Sequence, residues 1–156
     1  MKTLIITILT LVSTTIFAQN TATWKGGTPG NETKWNESKN WSDNQIPDEN
    51  TNVIIKFMNT GHFAQPVVEE TVEVGSIELH AGAYLTITES GQVLIDGSEF
   101  YTIGIVSYGG NLINEGVINL INIDQFSSTH FQEIISGNGT VLLDNQPINA
   151  KYYAKK

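Results

Sequence analysis

Apolar and polar residues alternate in short runs along most of this chain, and the runs end at glycine or asparagine. The clearest stretch lies between Thr71 and Gly97. Val72 and Val74 alternate with polar neighbours up to Gly75, and Ile77 and Leu79 do so up to Ala81-Gly82. Leu85 and Ile87 precede Ser90-Gly91, and Val93 and Ile95 precede Asp96-Gly97. A period of two marks a strand with one buried face, and the glycines suit the turns between strands. Positions 77, 85 and 93 are eight apart, as are 79, 87 and 95.

The pattern continues less regularly through Ile103 and Ile105, Leu112, Ile118 and Leu120, Ile135, and Val141 with Leu143. Strands this short bury little alone, but stacked in register they enclose a continuous core. Three strands per turn predict coils of roughly 24 residues and about three turns. The expected fold is all-β: a short right-handed parallel β-solenoid over residues 66–147. The alternative is an antiparallel β-sandwich, which also strings short strands between turns.

Residues 19–65 read differently. They contain all three tryptophans, Trp24, Trp35 and Trp41, with Pro29 and Pro47, and one well-formed strand pattern, Val53-Ile54-Ile55-Lys56-Phe57. A stack of coils has an open end that needs covering, so this segment is expected to be an irregular Trp-rich cap. No apolar series at helical spacing of useful length follows Ala18.

The segment from Met1 to Ala18 has the three parts of a secretory signal: Lys2, an apolar run from Leu4 to Val12, and Ala18 at its end. Cleavage after Ala18 leaves 138 of the 156 residues, enough for one domain with a core. The apolar run is shorter than the roughly 20 residues a bilayer requires, so no membrane insertion is expected after cleavage. There is no cysteine, so neither a disulfide nor a lipid-modified cysteine is expected. Of eight basic residues, all lysine, Lys2 falls in the leader, and seven remain against 16 Asp and Glu, a net charge of −9. Such an acidic chain lacks the basic footprint of a nucleic-acid binder. The basic tail, residues 148–156, reads as a solvated terminus.

A family resemblance enters through ordered residues. Trp24-Lys25-Gly26, Trp35-Asn36, Asn40-Trp41-Ser42, Ile46-Pro47 and Asn52-Val53-Ile54-Ile55 come first. Gly75-Ser76-Ile77-Glu78-Leu79, Gly82-Ala83-Tyr84-Leu85-Thr86-Ile87 and Gly91-Gln92-Val93-Leu94-Ile95 follow. The runs Gly110–Leu120 and Ser136–Val141 look like autotransporter-passenger coils. Together they resemble the secreted bacterial parallel β-helix repeat proteins whose long members end in a type IX secretion sorting domain. The resemblance implies a location at the cell surface or exterior and an adhesion-like role. The chain departs from that family in having fewer coils and no counterpart of the sorting domain. A periplasmic end point, and a remnant of a longer protein, therefore stand as alternatives.

Parallel β-helices include polysaccharide lyases, whose sites need clustered carboxylates with a basic residue or Ca²⁺. This chain has no arginine, and Glu73, Glu78, Glu89 and Asp96 alternate with apolar residues, so they are expected to face outward. His62, His80 and His130 lack ligand spacing, so no metal or other cofactor is expected. The remaining chemistry is aromatic. Trp35 and Trp41 lie among Asn36, Asn40 and Asp43, a set able to stack on sugar rings and hydrogen-bond to them. The preferred reading is that the tryptophans plug the open end of the stack, with the sugar-binding set as the alternative. The expected function is a non-enzymatic structural or adhesion-like module of the cell envelope or exterior. A carbohydrate-binding module and a degenerate lyase are the alternatives, with a polysaccharide or a cell-surface protein as partner.

Overall fold

The computed structural model describes residues 20–57, 64–97, 104–123 and 128–148. The expected signal peptide and the tail from residue 149 lie outside the described residues, as do His62 and Ile103. Among the described residues, thirteen strands, one short α-helix and a single 3-10 turn at Ser38–Asn40 make up the regular structure. The strands are β1 (Asn20–Thr23), β2 (Thr51–Ile55), β3 (Val67–Val68), β4 (Thr71–Val74), β5 (Ser76–His80), β6 (Tyr84–Ile87) and β7 (Gln92–Asp96). After them come β8 (Ile105–Tyr108), β9 (Asn111–Asn114), β10 (Val117–Ile121), helix α1 (Ser128–Ile134), β11 (Ile135–Ser136), β12 (Thr140–Leu143) and β13 (Gln146–Pro147).

The protein is all-β with parallel sheets. A first sheet has the order β1-β2-β5-β8, a second β3-β6-β9-β11, and a third β4-β7-β10-β12-β13. From β3 to β10, consecutive strands belong to the second, third and first sheets in strict rotation. Helix α1 stands in the chain where the next strand of the first sheet would fall. Every pairing between these strands is parallel except the terminal β12–β13 hairpin, where Leu142 faces Pro147. The antiparallel sandwich is thereby contradicted: residues 76–80 and 84–87 do not form a hairpin but sit in different sheets, each paired in parallel with other strands.

Register follows the hydrophobic alternation. Val53 pairs with Ile77, and Val93 with Ile118, so inward positions meet inward positions in distant parts of the chain. Ile77, Leu85 and Val93, eight apart in sequence, occupy three different sheets and are all fully buried. Their partners on the next strand of each sheet are Ile105, Leu112 and Ile118. Like thus pairs with like, and the inward faces merge into one core cluster running from Ala22 to Val141.

Glycine permits a close approach between neighbouring segments. A Cβ on Gly91 would run into the Val68 carbonyl oxygen, one on Gly116 into that of Gly91, and one on Gly139 into that of Gly116. Beside this column Asn114 is buried; its Oδ1 accepts from the Gly116 N–H (3.1 Å) and its Nδ2 donates to the Thr140 carbonyl (3.2 Å). These two bonds tie the turn to the following circuit of chain.

Three features differ from the sequence reading. The leading segment holds two strands rather than one, since β1 forms the first strand of the first sheet. Its residues, Asn20-Thr21-Ala22-Thr23, carry only Ala22 fully buried, so no apolar period announces it; pairing with β2 supplies the order. Strand β2 ends at Ile55, short of Phe57. Helix α1 has no counterpart in the hydrophobic pattern, because seven residues are too few to display a helical period.

Candidate functional site

The tryptophans are the first candidates, and the structure places all three inside. Trp24 and Trp41 are 0% exposed and Trp35 is 2% exposed. Trp41 lies at the centre, edge-to-face with Trp24 at 4.8 Å and with Trp35 at 4.7 Å between ring centroids. The Trp24 indole N–H donates to the Ala64 carbonyl (2.7 Å) and that of Trp41 to the Trp35 carbonyl (2.8 Å). Trp35 is held against β3, its backbone N–H donating to the Val67 carbonyl while the Val67 N–H donates to the Thr33 carbonyl. Residues 33–35 thus lie along the open edge of β3, which is the covering role such an edge requires.

Asn40 is also buried. Its Oδ1 accepts from the Thr28 N–H (3.0 Å), and its Nδ2 donates to the carbonyls of Asn31 (2.7 Å) and Lys34 (3.0 Å). It fastens the loop from 28 to 40. Only Asn36 and Asp43 of the expected sugar-binding set reach the surface. There the Asn36 Nδ2 donates to Glu70 Oε2 (2.9 Å), and Asp43 Oδ1 accepts from the Gln45 N–H (3.2 Å) in a local turn. Of the set Trp35, Trp41, Asn36, Asn40 and Asp43, the structure buries the two rings against other rings and buries Asn40, and leaves Asn36 and Asp43 at the surface. Asn and Trp neighbouring in sequence looked like a platform because sequence spacing does not report which face a side chain turns to.

A half-open pocket adjoins Trp35, lined by Lys34, Asn36, Val67, Glu69, Glu70 and Val72, with a cavity volume of about 30 Å³. That is far below the roughly 300 Å³ at which ligand pockets begin. Nearby, Glu32 Oε1 accepts from the Gly30 N–H (2.9 Å), and this backbone hydrogen bond lowers the Glu32 pKa.

The exposed aromatic rings lie elsewhere. Tyr108 is 60% exposed, Phe57 51% and Tyr84 44%. They surround one corner, where the chain leaves the first sheet for the second. His80, at the end of β5, pairs with Tyr108, at the end of β8, and their rings are 5.2 Å apart. Tyr84 opens β6 on the other side of the same turn. Phe57 follows β2, the neighbour of β5 on its other side, and packs at Gly82: a Cβ built there would lie 3.3 Å from the Phe57 Cβ. Gly82 in turn donates its N–H to the Gly109 carbonyl (3.2 Å). Both glycines have positive φ, +76° and +99°, which makes them the natural residues for this turn.

Beside the corner, Glu78 accepts from the Asn52 Nδ2 (2.9 Å) and lies 3.4 Å from His80 Nε2. Strand parity could have found this site. Tyr84 precedes the inward Leu85 and His80 follows the inward Leu79, so both point outward. The carboxylates Glu73, Glu78, Glu89 and Asp96 are exposed or half-exposed, with no group of three metal-ligating side chains among the described residues. No helix among them is long and apolar enough to cross a membrane. Comparison with family models, with curated proteins and with solved structures gives no match.

Proposed function

We propose that the three sheets are the sides of one right-handed parallel β-solenoid, and that it serves as a non-enzymatic, adhesion-like interaction module of the bacterial envelope or exterior. The rotation of strands through three sheets supports the solenoid, and crossovers between parallel strands are right-handed in about 98% of cases. The observation that carries the functional reading is the exposure of Tyr84 and Tyr108 beside one corner, on a chain whose tryptophans are buried in packing. Exposed rings grouped on a rigid frame are the mark of a recognition surface. Export rests on the leader, Met1 to Ala18, and its removal leaves Gln19 at the amino terminus.

The test is binding of labelled purified protein to envelope material isolated from the producing cells. Saturable binding without release of soluble sugar fragments is expected. Absence of saturation sinks the reading, and release of fragments moves it to the lyase alternative. Mass spectrometry of the exported protein is expected to give a chain beginning at Gln19; an uncleaved membrane-associated chain overturns the export proposal.

A further inference from the structure

We propose that the open edge of β4 accepts an extended, lysine-bearing segment of a partner protein as an added strand. This goes beyond the envelope-module reading, because it concerns a different surface and holds or fails without it. The first sheet begins with β1, and residues 33–35 lie along the edge of β3 in the second. Among the described residues no segment does the same for the third sheet, where β4 is the edge strand. After Asn36 the chain turns off into the 3-10 turn at Ser38–Asn40. The polarity of the β4 edge follows from its register. Thr71 pairs with Gln92 and Glu73 with Leu94, and the Gln92 N–H bonds to the Glu70 carbonyl (3.0 Å). Backbone groups alternate along a strand, so Val72 and Val74 face β7, while the N–H and C=O of Thr71 and Glu73 point away from it. None of these four groups has a hydrogen-bond partner among the described residues, and both residues are exposed. The edge closes at Gly75, whose N–H bonds to the Thr51 carbonyl (3.0 Å). Such a row of unpaired groups is a template for another strand.

The half-open pocket beside Trp35 adjoins this edge, since Glu69, Glu70 and Val72 line it together with Val67. Val72 is the inward residue between Thr71 and Glu73, and it is 7% exposed where its partner Val93 on β7 is 0% exposed. An added strand sets its central residue opposite Val72, so that side chain turns in towards the pocket and its two neighbours turn outward beside Thr71 and Glu73. A volume of about 30 Å³ suits a side chain the size of alanine or valine and excludes an aromatic ring. Charge sets the flanking residues. Glu69, Glu70 and Glu73 are exposed along the edge, with Lys34 as the cation lining the pocket. Asn36 already bonds to Glu70 (2.9 Å), whereas Glu69 and Glu73 have no ion-pair partner among the described residues. Lysines on either side of a small apolar residue complement that edge. A second copy of this chain would bring the same carboxylates to it, which disfavours pairing between copies.

The experiment is fluorescence anisotropy of labelled peptides titrated with the purified protein: Thr-Lys-Val-Lys-Thr, with Thr-Glu-Val-Glu-Thr and Thr-Lys-Trp-Lys-Thr as comparisons. Saturable binding of the first is expected, with each comparison peptide weaker by about tenfold or more. Thr71→Pro removes an outward N–H that β7 does not use and sets a ring on the edge, so it should abolish binding and leave the circular-dichroism melt close to the parent's. Glu73→Lys should weaken binding of the lysine peptide by about tenfold or more, with an unchanged melt. Amide hydrogen exchange read by NMR separates strand addition from charge attraction alone. The Thr71 and Glu73 amides should exchange fast in the free protein and become protected when the peptide saturates it. Absence of saturable binding, equal affinity for either comparison peptide, binding unchanged in both variants, or amides that stay fast overturns the inference. Amides already protected in the free protein, and released on dilution, would make the edge a contact between copies and equally overturn it. Binding to envelope material is read separately, so the failure of one reading leaves the other standing.

Discussion

Replacing Trp41 by alanine gives the sharpest test of what the buried indole cluster contributes. The side chain is fully buried, makes edge-to-face contacts with two other indoles, and donates a 2.8 Å hydrogen bond to the Trp35 carbonyl. Burying an aromatic ring of this kind removes about 150–250 Å² from water, worth roughly 4–6 kcal/mol at about 25 cal/mol per Å². Each aromatic pair adds about 0.5–1.5 kcal/mol and the hydrogen bond about 1 kcal/mol. These contributions overlap, and truncations of buried tryptophan typically cost about 3–5 kcal/mol, so a loss near the top of that range is expected. A domain of this size holds only about 5–15 kcal/mol in total. Tm should therefore fall by roughly 12–20 °C, at about 3–4 °C per kcal/mol. Far-UV circular dichroism melts and urea titrations read this directly. Trp41→Phe, which keeps a ring but loses the indole donor, should retain most of the stability. A Tm for Trp41→Ala within about 3 °C of the parent, less than a 1 kcal/mol change would produce, would refute the packing role of the indole cluster.

Gly116→Ala should cost about 3 kcal/mol or abolish folding, because the new Cβ would meet the Gly91 and Thr88 carbonyl oxygens, which cannot step aside. Gly30→Ala meets no atom and suffers only its φ of +81°, so about 1 kcal/mol is expected; equal urea midpoints for the two variants would contradict the close-approach explanation. Asn40→Ala leaves the Thr28 N–H without its acceptor, while the Asn31 and Lys34 carbonyls keep the Lys34 and Glu37 N–H groups, and should cost about 1–3 kcal/mol, checked by urea titration. Glu32 should titrate below the same residue in the unfolded chain, as read by NMR. Since its folded pKa is the lower one, its small stabilising effect is complete above the unfolded pKa and disappears as pH falls through the folded value. A Glu32 titration matching the unfolded chain would show that the Gly30 hydrogen bond does not persist in solution.

Much of the frame was legible in advance because strand parity is a local property. The alternation at Val72, Ile77, Leu85 and Val93 marks which side chains face inward, and the spacing of eight separates Ile77, Leu85 and Val93 onto different sheets. Strand β1 was not legible, since only Ala22 is fully buried and the pairing with Thr51–Ile55 creates the strand. The direction of the tryptophan rings was not legible for a related reason. Trp35 and Trp41 share a polar neighbourhood in sequence, yet loops follow no period, and neither parity nor spacing tells which way their rings turn.

The sequence by itself determined an all-β chain of short strands, its inward faces, its acidic charge and its lack of disulfides, since each follows from residue type and near-neighbour order. Only the tertiary structure decided that strands pair in parallel with partners far away along the chain, as Val53 does with Ile77. It also decided that the three indoles meet one another and that Phe57, Tyr84 and Tyr108 gather at one corner. Those juxtapositions depend on register between distant segments, which is set by the summed burial of the three parallel sheets and not by any single run of residues.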